Sequence, residues 1–272
     1  MRKVSRFLLL LFVVLAAAFT GGQPAPVSST VPASMAALGD SITRALACCS
    51  NGDNSRHSWS TGDRSGDGVT SHHERLARLG RPGTGRSHNN AISGATAVHL
   101  PDQAAMAVQQ NVEYVTVLIG ANDLCASSAA AMTSEAEFAA HVNAALAMLD
   151  RGLPRARIFV ASIPDLYQLW KVFEGSPEAR EAWSGGTCKA MLSADNAEEQ
   201  RQLVVARETA FNRILAQVCS RYRNCRWDDN AVHDFKFSAS DVSVVDYFHP
   251  SLEGQAWLAE ITWRASWWGN QR

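Results

Sequence analysis

Neither sign of charge is in excess in this 272-residue chain: 25 basic residues face 26 acidic ones, for a net charge of −1 with histidine neutral. That balance leaves no electrostatic footprint for nucleic acid or an anionic membrane surface. Long apolar runs are also scarce. The only one, Phe7 to Ala18, is too short for a comfortable membrane span, and no cysteine follows it to carry a lipid. The zinc pattern His-Glu-x-x-His is missing. His72, His73 and Glu74 stand side by side instead, as expected of a solvated helix face. No internal repeat occurs, and no linker marks a second domain.

What is present begins with Arg2, Lys3 and Arg6 ahead of that apolar run, and small residues at Ala16-Ala17-Ala18 after it. This is the layout of a secretory signal peptide, assigned to residues 1–23. Residues 24–32 read as a flexible lead-in and 33–272 as one domain. Cleavage would leave the mature chain near −4. An oxidising destination makes six cysteines more apt for disulfides than for metal thiolates. Cys219 and Cys225 close a short loop and are the best-placed pair, with Cys125 and Cys188 next. That leaves adjacent Cys48 and Cys49, for which a vicinal bond would be strained.

A hydrophobic fraction of 46% suffices for a sizeable core. Apolar stretches at 34–38, 87–92, 114–119, 157–162 and 226–228 read as strands. Helical patterns are expected over 69–79, 98–109 and 197–219, behind a capping box at Ser134 and Glu137, and from Ser251 onward. The 197–219 helix is expected to bury Leu203, Phe211, Ile214, Leu215 and Val218. Strands alternating with helices argue for a doubly wound parallel sheet. Residues 48–68 read as a long ordered loop beside Ser41, pinned by Trp59. Trp59, Trp170 and Trp183 are expected in packing, with an acyl or sugar pocket as the alternative. Trp263, Trp267 and Trp268 mark a packed C-terminal helix or a sticky surface.

Four segments at strand ends carry chemistry. In Leu38-Gly39-Asp40-Ser41-Ile42-Thr43 a buried strand turns sharply, and helix-compatible residues follow to Ala47, which would set Ser41 at a helix N-terminus. Asn89-Asn90-Ala91-Ile92-Ser93-Gly94 ends in a glycine whose N–H can donate to an oxyanion. Gly120-Ala121-Asn122-Asp123 offers a side-chain amide as a second donor. In Asp246-Tyr247-Phe248-His249-Pro250 the three-residue spacing lets the carboxylate meet one ring nitrogen, leaving the other for the serine proton. His233-Asp234 could mimic that pair but lacks a strand end before it.

With these blocks the sequence resembles the SGNH hydrolases, also called GDSL esterases and lipases, from about Ser34 to the C-terminus. Ile42 stands where the first block usually has leucine. The resemblance implies a flavodoxin-like fold and metal-independent, cofactor-free ester hydrolysis. It further implies Ser41 as nucleophile, His249 as base and then acid, and Asp246 as its orienter. The N–H groups of Ser41 and Gly94 and the Asn122 side chain would form the oxyanion hole. Gly-Asp-Ser-Ile-Thr lacks the second glycine of a Gly-x-Ser-x-Gly elbow, which disfavours the other serine-hydrolase fold. The expected protein is a secreted, monomeric carboxylic ester hydrolase acting on small-molecule, lipid or acylated-glycan esters. A carbohydrate acetyl esterase and a catalytically inactive glycan-binding module are the alternatives.

Overall fold

The computed structural model describes residues 31–80 and 86–269; the expected signal peptide and most of the lead-in lie outside the described residues. Five strands, β1 (Ser34–Gly39), β2 (Arg86–Asn89), β3 (Tyr114–Leu118), β4 (Arg157–Val160) and β5 (Cys225–Trp227), form one sheet in the order β2-β1-β3-β4-β5. Every pairing is parallel. Parallel pairing needs a crossover between strands, and helices supply it: α1 (His72–Leu79), α2 (Leu100–Gln110), the single turn α3 (Ala121–Leu124), α4 (Glu135–Gly152), α5 (Leu166–Phe173), α6 (Pro177–Ser184), α7 (Lys189–Leu192) and α8 (Glu198–Cys219); α9 (Ala231–Asp234) and α10 (Leu252–Ala265) follow the last strand. The result is the expected flavodoxin-like α/β sheet flanked by helices, and β1 lies at the centre of its first turn-back. All five residues of β3 are buried, as they must be when helices cover both faces.

The start of α4 follows from its sequence. The Ser134 hydroxyl accepts from the Glu137 N–H at 3.2 Å and the Glu137 carboxylate accepts from the Ser134 N–H, so two orphan donors are satisfied at once. Phe138 then stacks on Phe211 of α8 at 3.9 Å between centroids. Among the described residues no helix is long and apolar enough to cross a membrane.

Several expectations need correction. Leu203 is 58% exposed. The buried stripe of α8 runs through Val204, Glu208, Phe211, Leu215 and Val218, with Arg201 one turn earlier. Polar side chains hide this stripe in the sequence. The Arg201 guanidinium lies over Trp170 and donates to the carbonyls of Met191, Ser193 and Asn196, which is why a charged group can be buried there. His72 is not on a solvated face. It is fully buried between the Tyr114 hydroxyl and Thr262 Oγ1, each 2.8 Å away, and burial lowers its pKa to about 3.

Disulfides join Cys125 to Cys188 and Cys219 to Cys225, while Cys48 and Cys49 are free, with sulfurs 2.8 Å apart. A trans peptide holds neighbouring Cα atoms about 3.8 Å apart, shorter than the usual span of a bridged pair, so the strained vicinal bond open to Cys48 and Cys49 is not made. Trp59, Trp170 and Trp183 are all buried. Trp263 and Trp268 stack with centroids 5.3 Å apart, and Arg157 lies over the Trp268 ring, so the C-terminal tryptophans are largely packed.

Candidate active site

At the carboxyl end of β1 the chain cannot carry a side chain. A Cβ on Gly39 would stand 2.3 Å from the Leu118 carbonyl oxygen of β3. The same residue is gripped from the other side by Gln103 of α2, whose Oε1 accepts the Gly39 N–H at 2.7 Å and whose Nε2 donates to the Gly39 carbonyl at 2.9 Å. This clamp fixes the turn that follows. The expected helix after Ser41 is absent: residues 42–47 form consecutive turns closed by Arg44 N–H to Asp40, Ala45 N–H to Ile42 and Leu46 N–H to Ser41. Ala45 and Ala47 take left-handed φ values of 49° and 55°, which no α-helix accommodates. Charge stabilisation near Ser41 therefore falls to individual N–H groups and not to a helix dipole.

The segment bearing His249 is strained and tied down. Tyr247 sits at φ 54°, costly for a bulky residue, and its carbonyl accepts the Trp183 indole N–H at 3.1 Å. Phe173 packs edge-on against the Tyr247 ring at 5.6 Å. Ser243 links this segment to the serine turn: its N–H donates to the His249 carbonyl and its hydroxyl to the Ala47 carbonyl. Ser243 gave no signal in the sequence, and Trp183 was legible only as a packing residue, because each acts through a main-chain carbonyl far along the chain.

These ties bring three expected residues into one line. His249 Nε2 stands 2.8 Å from Ser41 Oγ, and Nδ1 stands 2.6 Å from Asp246 Oδ2. The other Asp246 oxygen accepts the N–H groups of Phe248 and His249, both at 3.0 Å. Burial acts to raise the Asp246 pKa. The hydrogen bond from the His249 ring, its charge and the two N–H donors outweigh that and hold the carboxyl below its usual range. An ionised Asp246 accepts a hydrogen bond from Nδ1–H, which keeps the ring proton on Nδ1 and leaves Nε2 as an acceptor for the Ser41 hydroxyl.

Gly94 lies in the loop after β2 and Asn122 in the single turn α3, and the two segments are fastened together. The Asn122 amide donates to the Ala95 carbonyl at 2.9 Å, and Asp123 Oδ2 accepts the Ala97 N–H at 2.9 Å. One Asn122 N–H remains uncommitted by that bond. Gly94 adopts φ 82°, open to glycine at no cost. Among the described residues the main-chain N–H groups of Ser41 and Gly94 have no acceptor. Such a site can draw a proton from a hydroxyl and present amide donors to a nascent anion.

Two buried carboxyls lie beside it. Asp40 is fully buried; Oδ1 takes the Ile42 N–H while Oδ2 has no partner among the described residues. Burial pushes its pKa up to about 7, with His249 opposing and Asp123 adding to the rise. Burial raises Asp123 as well. The 48–68 loop stands beside the serine turn as expected, with Asp53 holding both Arg44 (2.9 Å) and the Ser93 hydroxyl (2.6 Å). Trp59 donates to Thr43 Oγ1 and to Gln255 Oε1. His233 is elsewhere: its Nδ1 faces Glu208 at 3.1 Å, so His233-Asp234 is no second catalytic pair. Among the described residues no group of three or more His, Cys, Asp or Glu side chains is placed to hold a metal ion.

No curated protein matches the sequence. Among solved structures, the chain superposes on an acetyl xylan esterase, AlAXEase, with a TM-score of 0.52 at 15% identity, covering 85% of this chain and 98% of that one. A chain assigned as a GDSL-like lipase from Parabacteroides merdae ATCC 43184 gives 0.50 at 15% identity, covering 85% and 94%. A family two carbohydrate esterase from Clostridium thermocellum gives 0.51 at 13% identity, covering 88% of this chain and 63% of that one. At these identities the likeness is one of fold. The sequence itself goes further: residues 37–257 match the GDSL-like Lipase/Acylhydrolase family, to which this chain belongs.

Proposed function

We propose that this protein is a secreted serine hydrolase that cleaves carboxylic esters through an acyl-enzyme, with Ser41 as nucleophile, His249 as proton carrier and Asp246 as its orienter. The observation that carries the proposal is the continuous hydrogen-bonded line from Asp246 through His249 to Ser41, at 2.6 and 2.8 Å, assembled from distant segments. Ser41 Oγ attacks the ester carbonyl carbon while its proton passes to Nε2. The tetrahedral oxyanion meets the N–H groups of Ser41 and Gly94 and the Asn122 amide. His249 returns the proton to the leaving alcohol. It then takes one from water, which releases the acid and restores Ser41.

Export is supported by the basic and apolar N-terminal pattern and by the two disulfides in the fold, which persist in oxidising compartments. The signal peptide ends near residue 23 on this view, and the mature domain acts as a monomer without metal or cofactor. Cellular fractionation with N-terminal sequencing of the exported form tests the processing.

The test of the chemistry is a panel of 4-nitrophenyl esters and acetylated sugars run on the purified mature protein beside Ser41→Ala. Hydrolysis should vanish in the variant while its circular dichroism is preserved, and a fluorophosphonate probe should label only the wild type. Substantial activity or labelling in Ser41→Ala would overturn the assignment. An inert wild type that binds glycan would favour a binding module instead.

A further inference from the structure

The 48–68 loop presents Asp53 between two segments of the candidate site. A compact turn holds it there: Asn54 Oδ1 accepts the Ser50 hydroxyl at 2.7 Å, and its Nδ2 donates to the Ser50 and Gly52 carbonyls at 3.0 and 2.8 Å. Two main-chain bonds dock that turn on the serine turn, Ala47 N–H to the Gly52 carbonyl at 3.0 Å and Asn54 N–H to the Arg44 carbonyl at 3.1 Å. The Asp53 carboxylate then divides its oxygens between two partners. Oδ2 accepts from Nε of Arg44, three residues after Ser41, at 2.9 Å. Oδ1 accepts the hydroxyl of Ser93, the residue before Gly94, at 2.6 Å.

The Ser93–Gly94 turn needs such a tether, because packing does not hold it. Ile92 is 49% exposed, and Ser93 and Gly94 are exposed as well. Beyond the adjoining residues, no described atom lies within 4 Å of where a Cβ would stand on Gly94. Glycine enters its φ of 82° freely, so local backbone preference does not fix the direction of the Gly94 N–H. Hydrogen bonds fix it instead. Ile92 N–H donates to the Gly39 carbonyl at 3.1 Å, and Ala95 N–H closes the turn on the Ile92 carbonyl at 2.9 Å. Past Gly94 the turn is held by the Asn122 amide on the Ala95 carbonyl; before it, Asp53 holds the Ser93 hydroxyl.

We infer that Asp53 is a positioning residue for ester hydrolysis: it ties the serine turn to the Gly94 turn and so sets the spacing of the Ser41 and Gly94 N–H groups that receive the oxyanion. The inference rests on the ester-hydrolase proposal above. Burial acts to raise the Asp53 carboxyl pKa; the Ser93 hydroxyl and Arg44 outweigh it, with the His249 charge adding to them, and hold the carboxyl below its usual range. Asp53 is therefore ionised at neutral pH, and a hydroxyl bonded to a carboxylate makes one of the stronger hydrogen bonds. Arg44 and Asp53 are both partly exposed, so their pairing adds little to global stability. The consequence falls on geometry, where a misplacement of about 1 Å costs on the order of 10²-fold in rate.

The experiment measures kcat and KM for 4-nitrophenyl butanoate, and the rate of fluorophosphonate labelling, in wild type, Ser93→Ala, Ser93→Thr, Asp53→Ala and the Asp53→Ala/Ser93→Ala double variant. Thermal melts run in parallel. Ser93→Ala should lower kcat and the labelling rate about ten-fold, short of the roughly 10²-fold or more that losing an oxyanion donor outright costs, with KM within about two-fold. Ser93→Thr keeps the hydroxyl and should stay within about two-fold of wild type. Asp53→Ala should lose at least as much as Ser93→Ala, and the double variant should lose no more than Asp53→Ala, because both substitutions break one bond. Melting temperatures should stay within about 3 °C of wild type. Retention of more than about half of wild-type kcat in Ser93→Ala, equal losses in Ser93→Thr and Ser93→Ala, or a double variant whose loss is the product of the two single losses would overturn the tether while leaving ester hydrolysis intact. A wild type that neither hydrolyses the ester nor takes the label overturns the hydrolase proposal, and the role of Asp53 with it.

Discussion

Asp246→Asn probes the arrangement at its narrowest point. The carboxylate holds three donors, the His249 Nδ1–H through one oxygen and two main-chain N–H groups through the other. Asparagine can keep the main-chain pair on its carbonyl oxygen, so the loop should stay folded. Its amide nitrogen then faces Nδ1 and donates, which forces the ring proton onto Nε2. A protonated Nε2 donates toward Ser41 and cannot accept from it. The loss should resemble that of other triads given the wrong tautomer, about 10⁴-fold in kcat, or roughly 5 kcal/mol at 1.36 kcal/mol per decade. KM should change little, because the carboxylate does not touch substrate. The assay is kcat and KM for 4-nitrophenyl hexanoate and butanoate between pH 6 and 9, with a thermal melt as the folding check. Retention of more than a tenth of wild-type kcat at pH 7 in a folded Asp246→Asn protein would refute the reasoning.

Trp183→Phe removes the hydrogen bond that holds the Tyr247 carbonyl while keeping an aromatic ring. A lost neutral bond is worth about 1 kcal/mol, so kcat should drop around five-fold; an unchanged kcat would show that the strained loop holds without it. Replacing Cys125 and Cys188 by serine opens a 63-residue span and should cost about 4 kcal/mol, against about 2 kcal/mol for Cys219 and Cys225, which span 6. Urea melts decide the order, and the reverse order would refute the loop-entropy account. Asp40 should give the native state one extra proton between about pH 4, where an unfolded aspartate titrates, and about pH 7. Wild-type stability therefore falls as pH rises through that window, and Asp40→Asn, which carries no such proton, should gain on the wild type from pH 4 to pH 8. A constant difference in melting temperature across that range would remove Asp40 as the source.

The sequence by itself determined the elements whose physics is local. The nearly all-apolar run at 114–118 had to be a doubly covered strand, and Ser134 with Glu137 had to open a helix. The proximity of Asp246 and His249 was legible in their three-residue spacing, and the Gly-Asp-Ser turn in the glycine before it. Misreadings arose where burial is decided by partners far along the chain. His72 looks solvated until Tyr114 and Thr262 satisfy it, and Leu203 looks buried until α8 turns its Glu208 side inward. The helix expected after Ser41 became turns, because the chain there must meet Gly52 and Ser243 at the Ala47 main chain. The cavity between Ile42, Ala121, Val172, Phe248 and Leu258 could not be read at all, since its walls come from five separate stretches and an empty volume has no residue of its own. Backbone direction is set within a few residues of sequence, whereas desolvation and void space are properties of what the fold brings alongside.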